Sequence, residues 1–597
     1  MGLLLMRKGQ FAKAEPYFRQ AIATLTERNP NPYDGEPLYN LGWSLKMQGR
    51  YEEAYEQFFK ACWNAAWQDA GYFNIAQIDL MQQHPETALE NIERSLIRNW
   101  HNHKARALKA AILRKLNHTT EALAWIEDSL AIDAFNMGCR YEKYLLTQQE
   151  TDLDELKTLM RNWNHGYIEY SLDYAEAGMW EEAISFLQLH EQEGGDIYPM
   201  VYYALGYYTR QSGQTEKAKA YYNKASQANP AYCFPNRIEE VVILESALAA
   251  NPADAKASYY LGNFWYGARQ YEEAVKCWET SVQHDDSFPT VWRNLALAYY
   301  NKLGQTERAL QAMEKAFALD QEDARVFMEL DQLYKKLGVS HTQRLEKLKR
   351  HMSLTEKRDD VYLEYITLNN MLGNHLEAQQ DLAQRKFHPW EGGEGKVPGQ
   401  YLLAQTELAK SAIKAGKYQE AIDLLAATTE YPHNLGEGKL PGAQENDIDY
   451  YRGIAYQALG NQEKSEFYFR KASEGLSEPA PAIYYNDQQP DKIFYQGLAW
   501  EALGNPENAR KRFNKLISYG EKHLFDQVKI DYFAVSLPDL LIWEDDLQKR
   551  NTIHCYYLMA LGYLGLKKYD EAKTYFDKVL KMDINHQGAH IHRKMCE

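Results

Sequence analysis

EPLYNLGWSLKMQGRYEEAYEQFFKACWNAA, residues 36–66, decides the fold. Apolar residues recur at helical spacing on both sides of Gly49, which predicts two helices and a tight turn. Two antiparallel helices approach closely only where small residues face each other. Gly42 and Ala54 supply those positions, while Tyr51 and Phe58 fill the space beside them. Gly49 ends the first helix, because glycine takes the left-handed conformation at little cost.

The same frame returns in PMVYYALGYYTRQSGQTEKAKAYYNKASQANP, residues 199–230. Further copies stand at 259–282, 291–320, 409–425, 450–472, 495–516 and 557–580, with weaker ones near 69–98, 103–133, 167–190, 324–350 and 361–385. The offsets are similar, position by position, to those of the tetratricopeptide repeat. They are carried by Leu41, Gly42, Gly49, Tyr51, Ala54, Phe58 and Ala61 in the first copy. In the second they are Leu205, Gly206, Gly213, Ala218, Tyr222, Ala225 and Pro230. One unit cannot bury its own apolar face, so the units are expected to stack. The resemblance implies an all-α, TPR-type α-solenoid, a right-handed superhelix of about 13 or 14 helix-turn-helix repeats. Its concave groove, lined mainly by first helices, would suit an extended ligand.

Interruptions of the frame carry information. Residues 232–252 read as an extra helix, and 518–551 as a long insertion before the last repeat. The charged stretch SLTEKRDD near 355 suggests two parts: an N-terminal array, 1–355, and a C-terminal array with long inter-repeat loops, 356–597. ACWNAAWQDAGYF (61–73) puts Trp63 and Trp67 on one helix face, a spacing that reads as inter-repeat core.

The chain has 597 residues and a net charge of −16, with 45% apolar and 25% charged residues. These proportions fit a folded protein rather than a disordered one. An acidic surface repels phosphate backbones, so no nucleic-acid partner is expected. The six cysteines are far apart and show no CxxC spacing, so no zinc cluster is expected, and a reducing compartment fits. No apolar stretch is long enough to span a membrane, and the N-terminus lacks a signal-peptide cleavage pattern. The expectation is a cytoplasmic protein, or a periplasmic one if a further segment precedes Met1, since the chain opens inside a repeat.

Two loops repeat each other: FHPWEGGEGKVPGQY from Phe387 and YPHNLGEGKLPGAQ from Tyr431. A Walker phosphate loop needs glycine five positions before the GK and Ser or Thr after it. Those positions hold Trp390 and Val397 in one loop and His433 and Leu440 in the other. Nucleotide binding is therefore not expected, and no cofactor is. Proline and glycine forbid helix here, so an excursion from the repeat is encoded locally.

The residue types allow a sugar-binding surface, with ring faces on pyranose C–H groups and carboxylates and amides on hydroxyls. Candidate ligand residues are His388, Trp390, Glu394 and Lys396 in the first loop and His433, Glu437 and Lys439 in the second. Asp447 lies just beyond, and Tyr485, Asn486 and Asp487 come from a third long loop, EPAPAIYYNDQQPDKIFYQG, 478–497. The alternative is structural: glycines for turns, Trp390 as a plug, and solvated Glu/Lys pairs. Successive repeats put equivalent loops along one edge, so the three loops are expected to converge.

Residues 28–73, both GEGK loops and YYNDQQPDKIFYQGLAWEALG resemble the repeat portion of a bacterial family of large proteins. In that family a β-sandwich domain of unknown function, somewhat like sugar-mutarotase domains, precedes the repeats. The resemblance implies a carbohydrate-metabolism context and assigns no reaction. No segment expected to form that β-sandwich is read between Met1 and Glu597.

Other chemistry is thinly represented. His586 and His590 stand four apart near His592, a spacing a divalent metal could use, yet no acidic third ligand is placed, and no metal site is assigned. HNHKAR (101–106) is a weaker version. Neither GxSxG nor HExxH occurs. Glu394, Glu437, Asp447 and Asp487 would be the carboxylates for glycoside chemistry. The reading favoured by the sequence is a non-catalytic scaffold that binds a protein or peptide in its groove; the alternative is a carbohydrate-binding or glycoside-processing protein working through the C-terminal loops.

Overall fold

The computed structural model describes residues 1–195, 197–481, 487–528 and 541–597. Among these it contains 33 α-helices and no strand. The helices pair two by two, from Gly2–Arg7 with Phe11–Thr26 to Leu547–Gly565 with Tyr569–Met582. The chain divides into two compact units, Met1–Ser287 and Phe288–Glu597. The division expected near 355 concerns where long loops begin and remains an expectation.

The packing rule predicted from residues 36–66 operates as close contact. A Cβ on Gly42 would lie 2.9 Å from the Phe58 ring, so the helices Glu36–Lys46 and Tyr51–Ala61 touch only because position 42 is bare. In the second unit Gly453 and Phe469 repeat the arrangement, with the missing Cβ 2.5 Å from the ring. Gly49 has φ +73°, the left-handed geometry a tight turn needs. Of the two neighbouring tryptophans, Trp67 stacks on Tyr39 at 4.8 Å, whereas Trp63 is 53% exposed and does not join the core.

One repeat escaped the sequence pattern. Met137–Thr147 and Glu150–Met160 form a helix pair whose turns use Gln148 and Arg161 in left-handed geometry, both at φ +54°, instead of glycine. The expected extra helix forms as Ile238–Ala250, packed on Pro199–Gln211 and Ala255–Gly267. The Glu240 carboxylate starts it by accepting the N–H groups of Asn236 and Arg237 at 2.7 and 2.9 Å.

The first GEGK stretch corrects an expectation. Its loop ends at Gly395, and Lys396–Lys414 is one continuous helix that includes Pro398 and Gly399. Pro398 sits in the first turn, where its missing N–H would have no intrahelical partner anyway.

In the second unit the last helices return to earlier repeats. Asn585 donates to the carbonyl of Lys335 at 3.1 Å, and the amides of Gln400 and Gln587 pair at 2.9 Å. Arg344, wholly buried, donates to Asp331 at 2.6 Å, to Glu364 at 2.9 Å and to Asn585 at 3.3 Å. No helix among the described residues is long and apolar enough to cross a membrane.

Candidate functional site

First helices of four successive repeats line a groove in the N-terminal unit. Phe73 and Gln77 come from Gln68–Met81, Lys104, Ala107 and Ala111 from His103–Lys115, Gly138 from Met137–Thr147, and Tyr170 and Asp173 from Asn164–Ala175. Beside it, the turn before Met137 adds Asp133 and Phe135 to a cavity of about 360 Å³. Phe135 is 61% exposed there.

The groove floor is charged. Lys104 reaches Asp173 at 2.7 Å and Glu169 at 3.2 Å, and Arg237 reaches Glu169 at 2.7 Å. Lys46 is buried and donates to Gln77 at 2.6 Å and Asn74 at 3.2 Å. The Gln77 amide in turn donates to Glu176 at 3.2 Å. Glu239 stands close enough to influence Lys46. Glu169, Asp173, Glu176 and Glu239 therefore face Lys46, Lys104 and Arg237, and the acids outnumber the bases.

Burial opposes the charge of Lys104, but Asp173 and Glu169 more than offset this and hold its pKa above the usual lysine range. A single ammonium shared between two acids leaves the more enclosed one short of compensation. Burial pushes Asp173 up to about 7 against the pull of Lys104, with Glu176 and Glu169 adding to the rise. Burial also raises Glu239, with Glu176 and Glu169 again contributing.

The loop residues singled out in the sequence lie in the C-terminal unit, and their three loops do make contact. The Phe387 N–H donates to the carbonyl of Asn434 at 2.8 Å, and the Gly395 N–H to the Glu437 carboxylate at 2.8 Å. Gln444 in the second loop donates to the carbonyl of Asp487 in the third at 3.3 Å.

Individual roles differ along this edge. His388 is exposed and held by Asp359, through its N–H at 2.9 Å and its ring at 3.1 Å. Trp390 is half-buried and folds over Gly393, where a Cβ would lie 2.2 Å from the indole. Glu394 and His433 are exposed. Lys439 pairs with Glu445 at 2.6 Å, and Asp447 with Lys492 at 2.6 Å. Lys396 is not the counterpart of Lys439: it opens a helix and feels the charges of Lys335, Glu364, Glu394 and Arg550. Tyr485 and Asn486 lie outside the described residues.

The C-terminal histidines serve local structure. His586 caps its helix by accepting the Ala589 N–H at 3.0 Å, and burial pushes its pKa down to about 4. The His590 ring N–H donates to the carbonyl of Ile584 at 2.7 Å. Among the described residues no group of three or more His, Cys, Asp or Glu side chains could share a metal ion.

The groove residues Gln77, Lys104, Glu169, Tyr170 and Asp173 were not reached from the sequence. They sit on first helices at positions the repeat frame leaves open, so only the stacking of four repeats brings them together. All five fall inside the weaker repeat copies at 69–98, 103–133 and 167–190, and HNHKAR holds Lys104, but neither pattern marks them as a group.

Tetratricopeptide-repeat family models match residues 1–62, 201–232, 266–324, 493–519 and 553–586. Among solved structures, MamA residues 41 to the end, from Desulfovibrio magneticus RS-1, is 23% identical, with 33% of this chain and 97% of that chain covered and a TM-score of 0.20. YrrB, a TPR protein with an unusual peptide-binding site, is 15% identical, with 40% and 97% covered and a TM-score of 0.16. The Cut9–Hcn1 hetero-tetramer of the APC/C is 13% identical, with 94% and 96% covered and a TM-score of 0.24. Among the described residues the chain is all-α, and five of its stretches match tetratricopeptide repeats.

Proposed function

We propose that the protein is a scaffold whose N-terminal unit docks an extended segment of a protein partner in its first-helix groove, with a basic side chain of that segment seated over Asp173 and Glu176. The observation that carries this is the charge shortfall on the floor. Lys104 is divided between Glu169 and Asp173, and two carboxylates there are held above their ordinary range. A guest ammonium or guanidinium would supply the missing charge in a partly desolvated place, where it acts most strongly. Phe135 and Tyr170 offer apolar surface for its neighbours.

The test is fluorescence anisotropy of the full chain with labelled peptides that interleave lysine or arginine with apolar residues. Their binding should weaken by about five- to tenfold in Asp173→Asn and Glu176→Gln and fall with added salt. Peptides with glutamate in place of the bases should not bind. Equal binding of acidic and basic peptides would sink the reading.

A second reading assigns the loop edge to a glycan, within a carbohydrate-metabolism setting. Its support is that the loop carrying exposed His388 and Glu394 and half-buried Trp390 touches the loop of His433 and Glu437. Against it, Asp447 and Glu445 are already paired with lysines. Thermal unfolding against a panel of mono- and oligosaccharides decides it: a shift lost in Trp390→Ala supports a sugar site, and no shift with any sugar removes the idea.

A further inference from the structure

In the second unit the segment Ile542–Asp545 lies across the first helices Pro289–Asn301 and Ala324–Lys336, more than two hundred residues earlier in the chain. Its backbone is clamped by one side chain. The Asn301 amide donates to the carbonyl of Ile542 at 2.8 Å and accepts the N–H of Glu544 at 2.9 Å. Between these two points Trp543 inserts until it is 2% exposed. Its indole N–H donates to the carbonyl of Glu329 at 2.9 Å, and its ring meets Tyr300 edge-on at 5.2 Å. The next two side chains find cations, Glu544 on Lys302 and Asp545 on Lys336.

This is how a groove recognises a peptide: an amide that reads the backbone on both sides of one residue, a pocket for one aromatic ring, and charges that read the side chains beyond the ring. The receiving surface is also prepared for acid. The buried Glu329 carboxylate is engaged by Arg293 at 2.5 and 2.6 Å and by Arg325 at 3.0 Å. Lys302 and Lys336 stand at the rim, where they meet the two acidic side chains, in a chain whose net charge is −16. The Glu544 side chain is 55% exposed and that of Asp545 34%, so the acidic end is held at the surface, where ion pairs exchange readily with water.

We propose that this face is a binding site for a protein segment carrying tryptophan followed by two acidic residues, and that the chain's own Ile542–Asp545 occupies it in cis. A partner segment of the same chemistry binds by displacing it. The site is separate from the groove proposed for the N-terminal unit, and it prefers the opposite charge.

The test uses the full chain and a labelled peptide, LIWEDDLQK, the sequence of residues 541–549. Charge reversal in the resident segment, Glu544→Lys with Asp545→Lys, loosens it without emptying the tryptophan pocket. The peptide should bind this variant at least about tenfold more tightly than the wild type, because the competitor is weakened. Adding Asn301→Ala should remove the gain, and a peptide with alanine for tryptophan should not bind. Equal affinity for wild type and charge-reversed chain would overturn the proposal and leave the segment as a structural tie. Should the variant fail to fold, hydrogen exchange on the wild type gives the same decision. Excess peptide should speed exchange of the Glu544 amide, and unchanged protection at saturating peptide would overturn the proposal.

Discussion

Glu437 in the second GEGK loop accepts the backbone N–H of Gly395 in the first, at 2.8 Å. Gly395 is the N-cap of the helix Lys396–Lys414. The carboxylate therefore satisfies one of the donors a helix start leaves open and stands at the favourable end of its dipole. Asn434 completes the joint by donating to the carbonyls of Leu382 and Arg385 at 2.7 and 2.9 Å. Glu437→Ala is expected to cost about 1–2 kcal/mol locally, because a charge-assisted bond is left unmade. Hydrogen exchange at Gly395 and the next few amides should rise by about tenfold, with Glu437→Gln intermediate. Unchanged exchange in the alanine variant would mean that the loops are held by Asn434 alone.

Arg344 gives the second prediction. Its guanidinium is buried between Asp331 and Glu364 and touches Asn585 of the last repeat. Despite burial, Lys335 and Arg344 draw Glu364 down to about 2. Arg344→Met would strand Asp331 in a place where burial already raises its pKa. A loss of about 3–5 kcal/mol is expected, because the remaining charge is uncompensated. Urea unfolding of the full chain should show it as an earlier transition, and Arg344→Lys should recover only part, since lysine cannot hold two carboxylates in a fork.

How far the sequence could go is visible in particular residues. Gly42, Gly49 and Phe58 announced their roles, because helix-to-helix contact and a left-handed turn restrict residue type locally. The pair Met137–Met160 did not announce itself; its turns use Gln148 and Arg161 in left-handed geometry. The GEGK loops were legible as loops and as neighbours along one edge, but not as a joint in which Glu437 caps a helix. That contact spans 42 residues and depends on register between repeats. The Lys104–Asp173 pairing and the seat of Trp543 were out of reach for the same reason. Stacking geometry, not local pattern, chooses which first-helix side chains meet.

The third prediction concerns pH. Asp173 has a folded-state pKa raised to about 7, above the value near 3.9 expected when unfolded. The folded chain then binds the extra proton, so this group's contribution is fully present below about pH 4 and is lost as pH rises through about 7. Asp173→Asn should flatten that part of the stability profile and raise the unfolding temperature at pH 8, while Lys104 keeps Glu169 as a partner. His586 has the opposite sign. Its pKa is lowered to about 4, so its contribution is present above about 6.5 and lost as pH falls toward 4. Unfolding temperatures of the wild type, Asp173→Asn and His586→Asn between pH 4 and 8 separate the two, and parallel profiles for all three would refute both assignments.

The last prediction separates two kinds of glycine. Gly206 lies inside a helix, and a Cβ there would meet the Tyr222 ring at 2.5 Å. Gly213 ends the same helix at φ +84° with nothing within 4 Å of the added carbon. Alanine at 206 improves helix propensity by up to about 1 kcal/mol, yet overpacking against a ring held by Ser246 at 3.1 Å costs about 1–3 kcal/mol and wins. Alanine at 213 meets no neighbour and bears only the strain of the left-handed backbone, about 1–2 kcal/mol. The two losses are similar in size but differ in cause, so a second substitution tells them apart. Tyr222→Leu should recover part of the loss in Gly206→Ala and none of that in Gly213→Ala. In a double-mutant cycle read by thermal unfolding, the 206–222 coupling should exceed about 0.5 kcal/mol and the 213–222 coupling should be near zero. Equal couplings would mean that the close approach of these helices is not what position 206 protects.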